Sequence, residues 1–129
     1  METADAIAAC KPLVGVHGNC DDYKVRTVYP LVRCFEVAQM KVLMTHIGGY
    51  PGRYDLKAHA LINAHHPNLF ICGHSHILKV INDHEHNLLH INPGAAGNYG
   101  IHTLRTAVRF CIDSGKISDL EIWELPRHM

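Results

Sequence analysis

Apolar residues along this chain come in short runs, each closed by a turn signal. Leu13-Val14-Gly15-Val16-His17 runs into Gly18-Asn19, which predicts a buried strand ending in a loop. The stretches 25–28 and 32–37 carry β-branched residues around Pro30 and predict two more short strands. Lys41-Val42-Leu43-Met44-Thr45 predicts a stronger one, closed by His46-Ile47-Gly48-Gly49, with Pro51-Gly52 continuing the loop. Leu69-Phe70-Ile71-Cys72 repeats the pattern and ends at Gly73-His74-Ser75-His76. The runs 77–81 and 88–91 flank the polar segment 82–87 as in a hairpin. The stretch 103–112 alternates, with Leu104, Thr106, Val108 and Phe110 on one side. Asp113-Ser114-Gly115-Lys116 then turns the chain into a second hairpin over 117–125.

Helical signals are fewer. Residues 4–9 read as the tail of a helix, too short to be stable alone. Residues 55–65 predict a full helix, with Leu56, His59, Ala60 and Asn63 on one face. Asp55 stands where its charge suits the helix dipole, and Pro67 bars continuation. The pattern predicts a β-rich α/β fold in one domain over residues 1–129, without repeats or linkers. Its Gly-plus-His clusters fall at strand ends, where open α/β sheets bind their ligands.

Composition narrows the function. With 129 residues, 47% of them hydrophobic, the chain has one domain's mass and enough apolar surface for a core, which excludes a disordered protein. Twelve Lys+Arg balance twelve Asp+Glu, which argues against a sequence-independent nucleic-acid binder. No apolar stretch approaches the roughly 20 residues that span a bilayer. The acidic start, Met1-Glu2-Thr3-Ala4-Asp5, lacks the basic region of a signal peptide, so a cytoplasmic protein with no membrane partner is expected. Five widely spaced cysteines without a CxxC motif predict reduced thiols rather than a disulfide framework.

The anomaly is twelve histidines. Three clusters share one grammar, in which an apolar run is followed by glycine and metal-capable side chains. They are Val16-His17-Gly18-Asn19-Cys20-Asp21, Leu43-Met44-Thr45-His46-Ile47-Gly48-Gly49, and Ile71-Cys72-Gly73-His74-Ser75-His76. Strand ends fix side-chain direction, and several side by side can converge on one ion. Neutral imidazoles with carboxamide or carboxylate oxygens suit Mn²⁺, Fe²⁺, Zn²⁺ or Ni²⁺. Taken one at a time, the same histidines also read as polar loop residues that satisfy backbone groups.

In this order, Gly18-Asn19-x-Asp21, Thr45-His46, Gly73-His74-Ser75-His76 and Asn92-Pro93-Gly94 resemble the calcineurin-like metallophosphoesterases, in particular their small bacterial and archaeal phosphodiesterase branch. The retromer subunit of the same fold is a catalytically weakened cousin. The resemblance runs from about Leu13 to Leu125. It implies an αββα sandwich and a two-metal hydrolase, most readily with Mn²⁺, in which an activated hydroxide attacks a small phosphodiester in line. It implies that Asn19, His46 and His74 bind one metal and His76 the other, with Asn19, Asp21 and His46 serving catalysis. For Asp21, orienting the site and forming a turn both stand as readings. The alternative is a protein-interaction scaffold in which the fold persists and the site is a relic.

The family's opening Asp-x-His and Gly-Asp motifs have no counterpart here, and neither Asp5 nor His17 takes their place. The resemblance therefore implies a sandwich without its N-terminal strands. That fits a piece of a longer enzyme, a natural truncation, or a chain completed by another chain, including a homodimer. Cys20 stands where larger relatives carry a histidine, which leaves the leaving-group acid unassigned. Elsewhere, 92–97 reads as a rigid turn near the site. In the loop 48–54, Arg53 could clamp a phosphate and Tyr50 or Tyr54 could stack on a base, or the whole could be a solvated loop. His84, His86 and His90 lie in or beside a hairpin, where alternation exposes some of them, and Trp123 is expected to pack against the sheet.

Overall fold

In the computed structural model, residues 2–18, 21–97 and 103–126 are described. The elements in chain order are α1 (Glu2–Cys10), α2 (Tyr23–Val28), β1 (Val32–Val37), β2 (Met40–Thr45), β3 (Gly49–Tyr50), β4 (Arg53–Tyr54), α3 (Leu56–His65), β5 (Leu69–Ile71), β6 (Leu78–Asp83), β7 (Leu88–Pro93), β8 (Leu104–Asp113) and β9 (Lys116–Pro126). A five-stranded sheet has the order β1-β2-β5-β7-β6. Its central strands β2, β5 and β7 run parallel, and the two edge strands are antiparallel to their neighbours.

The period-two alternation of these strands divides the core. Leu43, Phe70, Cys72 and Leu88 face α3, where they meet Ala58 and Ile62. Met40, Val42, Leu69 and Ile91 face the β8–β9 hairpin, where Val108, Phe110 and Ile112 cover them. Both faces of β2 and β5 are thus buried, which is why these runs read as continuously apolar. Helix α3 starts where Asp55 accepts the backbone N–H groups of Lys57 and Ala58. It ends at His66, which adopts a left-handed conformation and donates its N–H to Ile62 O. Asp55→Ala should cost about 1 kcal/mol, read as a lower urea midpoint at constant slope, and an unchanged midpoint would remove the cap from the account.

Several expectations need correction. Leu13–His17 forms no strand. The sheet's edges are β1 and β6 and the β8–β9 strands pair with each other, so this run has no partner among the described residues. Its His17 N–H goes to Pro30 O instead. The expected strand at 25–28 is helix α2, because the Asp22 side chain accepts the Val25 N–H and nucleates a turn that overrides β-branched propensity. The loop at 48–54 contains the small β3–β4 hairpin. On α3 the buried residues are Ala58 and Ile62, while Leu56 stands 87% exposed on the opposite side. Trp123 is 47% exposed, with the Arg105 guanidinium over its ring at 5.8 Å from the centroid.

The described residues form an α/β fold of helix, mixed sheet and hairpin. Of the expected four-layer sandwich, the described residues show the five-stranded sheet with α3 on one face and the two-stranded β8–β9 sheet on the other, and α1 buries none of its residues. The four described cysteines, Cys10, Cys34, Cys72 and Cys111, are free. No helix among the described residues is long and apolar enough to cross a membrane.

Candidate metal centre

Strands β2 and β5 are parallel neighbours with Leu43 beside Phe70 and Met44 beside Ile71, so both chains leave the sheet at the same end. His46 follows β2 directly. His74 follows β5 after Cys72-Gly73, and the Gly73 N–H bonds His46 O at 2.8 Å, tying the two exits together. His74 Nδ1 then lies 3.3 Å from His46 Nε2, with the rings edge to face at a centroid distance of 5.1 Å. Two nitrogens about 2.0–2.1 Å from one tetrahedral ion stand about 3.3–3.4 Å apart, so the pair has the spacing of two ligands to one cation. Without a cation, one imidazole N–H donates to the other's lone pair.

Backbone conformation marks the same spot. His74 and His76 both have positive φ, 68° and 61°, a region that ordinary side chains rarely occupy. Such conformations persist only where surroundings enforce them, and they concentrate at functional sites. Asn92, buried at the end of β7, supplies the enforcement. Its amide donates to Gly73 O at 3.1 Å and to Ser75 Oγ at 3.0 Å, and its own oxygen accepts the Gly94 N–H. The sequence placed a rigid turn here. It did not disclose Asn92 as the brace of the Gly73–His76 loop, because a strand-end Asn-Pro pair carries no mark of its partners.

The 15–18 segment closes over His46. A Cβ at Gly18 would stand 3.2 Å from the His46 ring, so only glycine gives this approach without displacement. His17 donates from Nδ1 to Tyr29 O at 2.9 Å. Asp21 accepts the Gly18 N–H at 2.6 Å and so forms the turn, while its charge also raises the pKa of His46. Burial nonetheless lowers that pKa most, with His74, His76 and His17 adding to the effect. His46 is therefore held in the neutral form that ligates metals. Asn19 and Cys20 lie outside the described residues.

His46 and His74 are thus brought together, with His76, His17 and Asp21 within electrostatic reach. Among the described residues no group of three His, Cys, Asp or Glu side chains stands close enough to hold a metal ion. The imidazole pair fits a divalent cation, and a further ligand has to come from elsewhere. Cys72 offers none, since burial pushes its thiol up to about 12. A groove of about 970 Å³, walled by Leu31, Ile47, Leu56, Ala60 and Leu61, opens beside His46. A smaller cleft of about 320 Å³ opens beside His74.

The sequence of residues 1–115 matches the family described as the calcineurin-like phosphoesterase superfamily domain. The chain belongs to that superfamily. Solved structures agree on the fold of this phosphoesterase domain. Thermotoga maritima protein TM1076 superposes with a TM-score of 0.67 at 24% identity, over 97% of this chain and 74% of that one. Vps29 of Entamoeba histolytica, solved in complex with Zn²⁺, gives 0.71 at 16% identity, over 97% and 75%. An archaeal phosphodiesterase gives 0.58 at 16% identity, over 87% and 68%. No curated protein matches the chain.

Proposed function

We propose that this superfamily member is a metal-dependent phosphoesterase that hydrolyses a small phosphodiester, with Asn19, His46, His74 and His76 as its metal-binding residues and Mn²⁺ as the working metal. The observation that carries this reading is the 3.3 Å pairing of His46 Nε2 with His74 Nδ1 at two adjacent strand ends. A divalent cation, when bound, supplies Lewis acidity, lowering the pKa of water and offsetting charge on phosphate oxygens. The chain's own contribution is orientation. Asn92 fixes the Gly73–His76 loop, Gly18 lets the 15–18 segment lie on His46, and burial keeps His46 deprotonated at neutral pH. In this reading the fold is the family's αββα sandwich, with the β8–β9 hairpin as the nucleus of its second sheet.

The test is elemental analysis after Mn²⁺ loading and desalting, together with hydrolysis of bis(p-nitrophenyl) phosphate. Near-stoichiometric Mn²⁺ and Mn²⁺-dependent hydrolysis are expected, with both falling to background in His46→Ala and His74→Ala. Retained metal in those variants would move the site elsewhere. No metal in the parent protein would favour the interaction scaffold, a reading supported by the absence of a three-ligand group among the described residues.

A further inference from the structure

The cleft beside His74 has features that a single reacting phosphate does not require. It runs from His74 and Ser75 to Tyr50, Arg53 and Lys79. Its far end is built by the β3–β4 hairpin. Gly49 turns the chain at φ 77°, where a Cβ would collide with the Arg53 carbonyl oxygen. Tyr50 then pairs directly with Arg53 across the two strands. Cross-strand partners hold their Cβ atoms about 5 Å apart on one face, so the two side chains leave the hairpin from adjacent points. From β6, the Lys79 ammonium lies 4.7 Å from the Tyr50 ring centroid. The Tyr50 ring thus has the Lys79 ammonium over it and Arg53 as its cross-strand partner.

The acidic residue on this cleft is Asp55, and its carboxylate is engaged by the Lys57 and Ala58 N–H groups at the start of α3. Neither Arg53 nor Lys79 has an ion-pair partner among the described residues. Two cations in one recess repel each other until an anion enters. The rest of the wall is apolar, with Ile47 and Ile77 exposed on it. The recess therefore suits a molecule with an apolar body and an anionic end.

We propose that Arg53 and Lys79, which line one cleft with Tyr50, bind a second phosphate group, so that the preferred substrate is a phosphodiester whose ester arm itself ends in a phosphate. Arg53 supplies paired N–H donors and Lys79 a point charge. Placement of the reacting phosphate at His46 and His74 rests on the phosphodiesterase reading, whereas the anion site stands on its own residues.

Titration calorimetry of the full chain in EDTA, with phenyl phosphate as probe, tests this without metal. Saturable binding is expected, weakening as salt is raised. Affinity should fall about tenfold in Arg53→Ala and in Lys79→Ala, fall by less in Arg53→Lys, which keeps the charge and loses the paired donors, and survive His74→Ala. Circular dichroism of each variant, unchanged from the parent, separates lost binding from lost folding. The proposal is overturned by absent binding, by unchanged affinity in both alanine variants, by loss in His74→Ala, or by equal binding of benzoate. Because EDTA removes the metal, failure here leaves the Mn²⁺-dependent hydrolysis test standing, and failure of that test leaves this one standing.

Discussion

Phe70→Ala is expected to destabilise the protein by about 3–5 kcal/mol, close to the whole stability of many small domains. Phe70 is 0% exposed at the middle of β5, the central strand of the sheet. Its ring stands edge to face with Tyr54 at 5.7 Å and tilted against His90 at 5.7 Å, and it belongs to one buried cluster with Leu43 and Ile62. The surroundings have little slack, since a Cβ at Gly48 would come within 2.8 Å of the Phe70 ring. The strands on both sides are fixed by ladder hydrogen bonds and cannot collapse into the void. Urea denaturation should show a lower midpoint at unchanged slope, with Phe70→Leu recovering most of the loss. A loss below about 1 kcal/mol would mean that the core repacks, against this account. Because β5 leads through Cys72-Gly73 to His74, Mn²⁺ retention should weaken as well.

Where the physics was local, the sequence already stated it. The runs 41–45 and 69–72 became β2 and β5 because their burial on both faces demands unbroken apolar residues, and the β-branched run 32–37 became the half-exposed edge strand β1. The hairpins around 82–87 and 113–116 followed from turn chemistry flanked by alternation. The helix at 55–65 followed from a carboxylate that suits the helix dipole and from a following proline, and the structure makes that carboxylate, Asp55, the N-cap. Failures came where the outcome depended on a neighbour. Leu13–His17 has strand composition and no strand to pair with among the described residues. Residues 25–28 have strand composition and an Asp22 cap that starts a helix. Trp123 is a large apolar residue on a strand whose last six residues, 121–126, are exposed throughout.

The candidate site was legible in the same measure. Gly-His-Ser-His after an apolar run was enough to point at a strand-end cluster, and the structure brings His46 and His74 into contact. The positive φ of His74 and His76, and the bond from Asn92 that braces their loop, could not be read from composition. The pairing of Tyr50 with Arg53 depends on a hairpin register, and the meeting with Lys79 depends on a strand 26 residues further along.

His90 carries the second large effect. It lies on β7 with 0% exposure, and neither ring nitrogen has a hydrogen-bond partner among the described residues. Burial lowers its pKa from 6.5 to about 4, with Asp83 opposing the shift and Lys79 adding to it. Tyr54 and Phe70 supply aromatic rings beside it rather than counter-charge. Between those two pH values the unfolded chain holds a proton that the folded chain does not, so stability rises with pH across the window. The contribution is fully present above pH 6.5 and is lost as pH falls toward 4. At about 1.4 kcal/mol per pH unit of separation, the loss is about 3 kcal/mol. Asp83 acts at lower pH. Burial raises its carboxyl, but hydrogen bonds from Tyr54 and His86 outweigh this and hold it below 3.8, so its own loss begins only near that value. His90→Leu keeps the volume and removes both unsatisfied nitrogens. It should raise stability at pH 7 by about 1–2 kcal/mol and flatten the dependence between pH 4 and 6.5 while leaving the fall below pH 4 in place. Chemical denaturation at half-unit pH steps reads both effects. If parent and variant curves run parallel through that window, His90 is not the residue that makes the folded protein acid-sensitive.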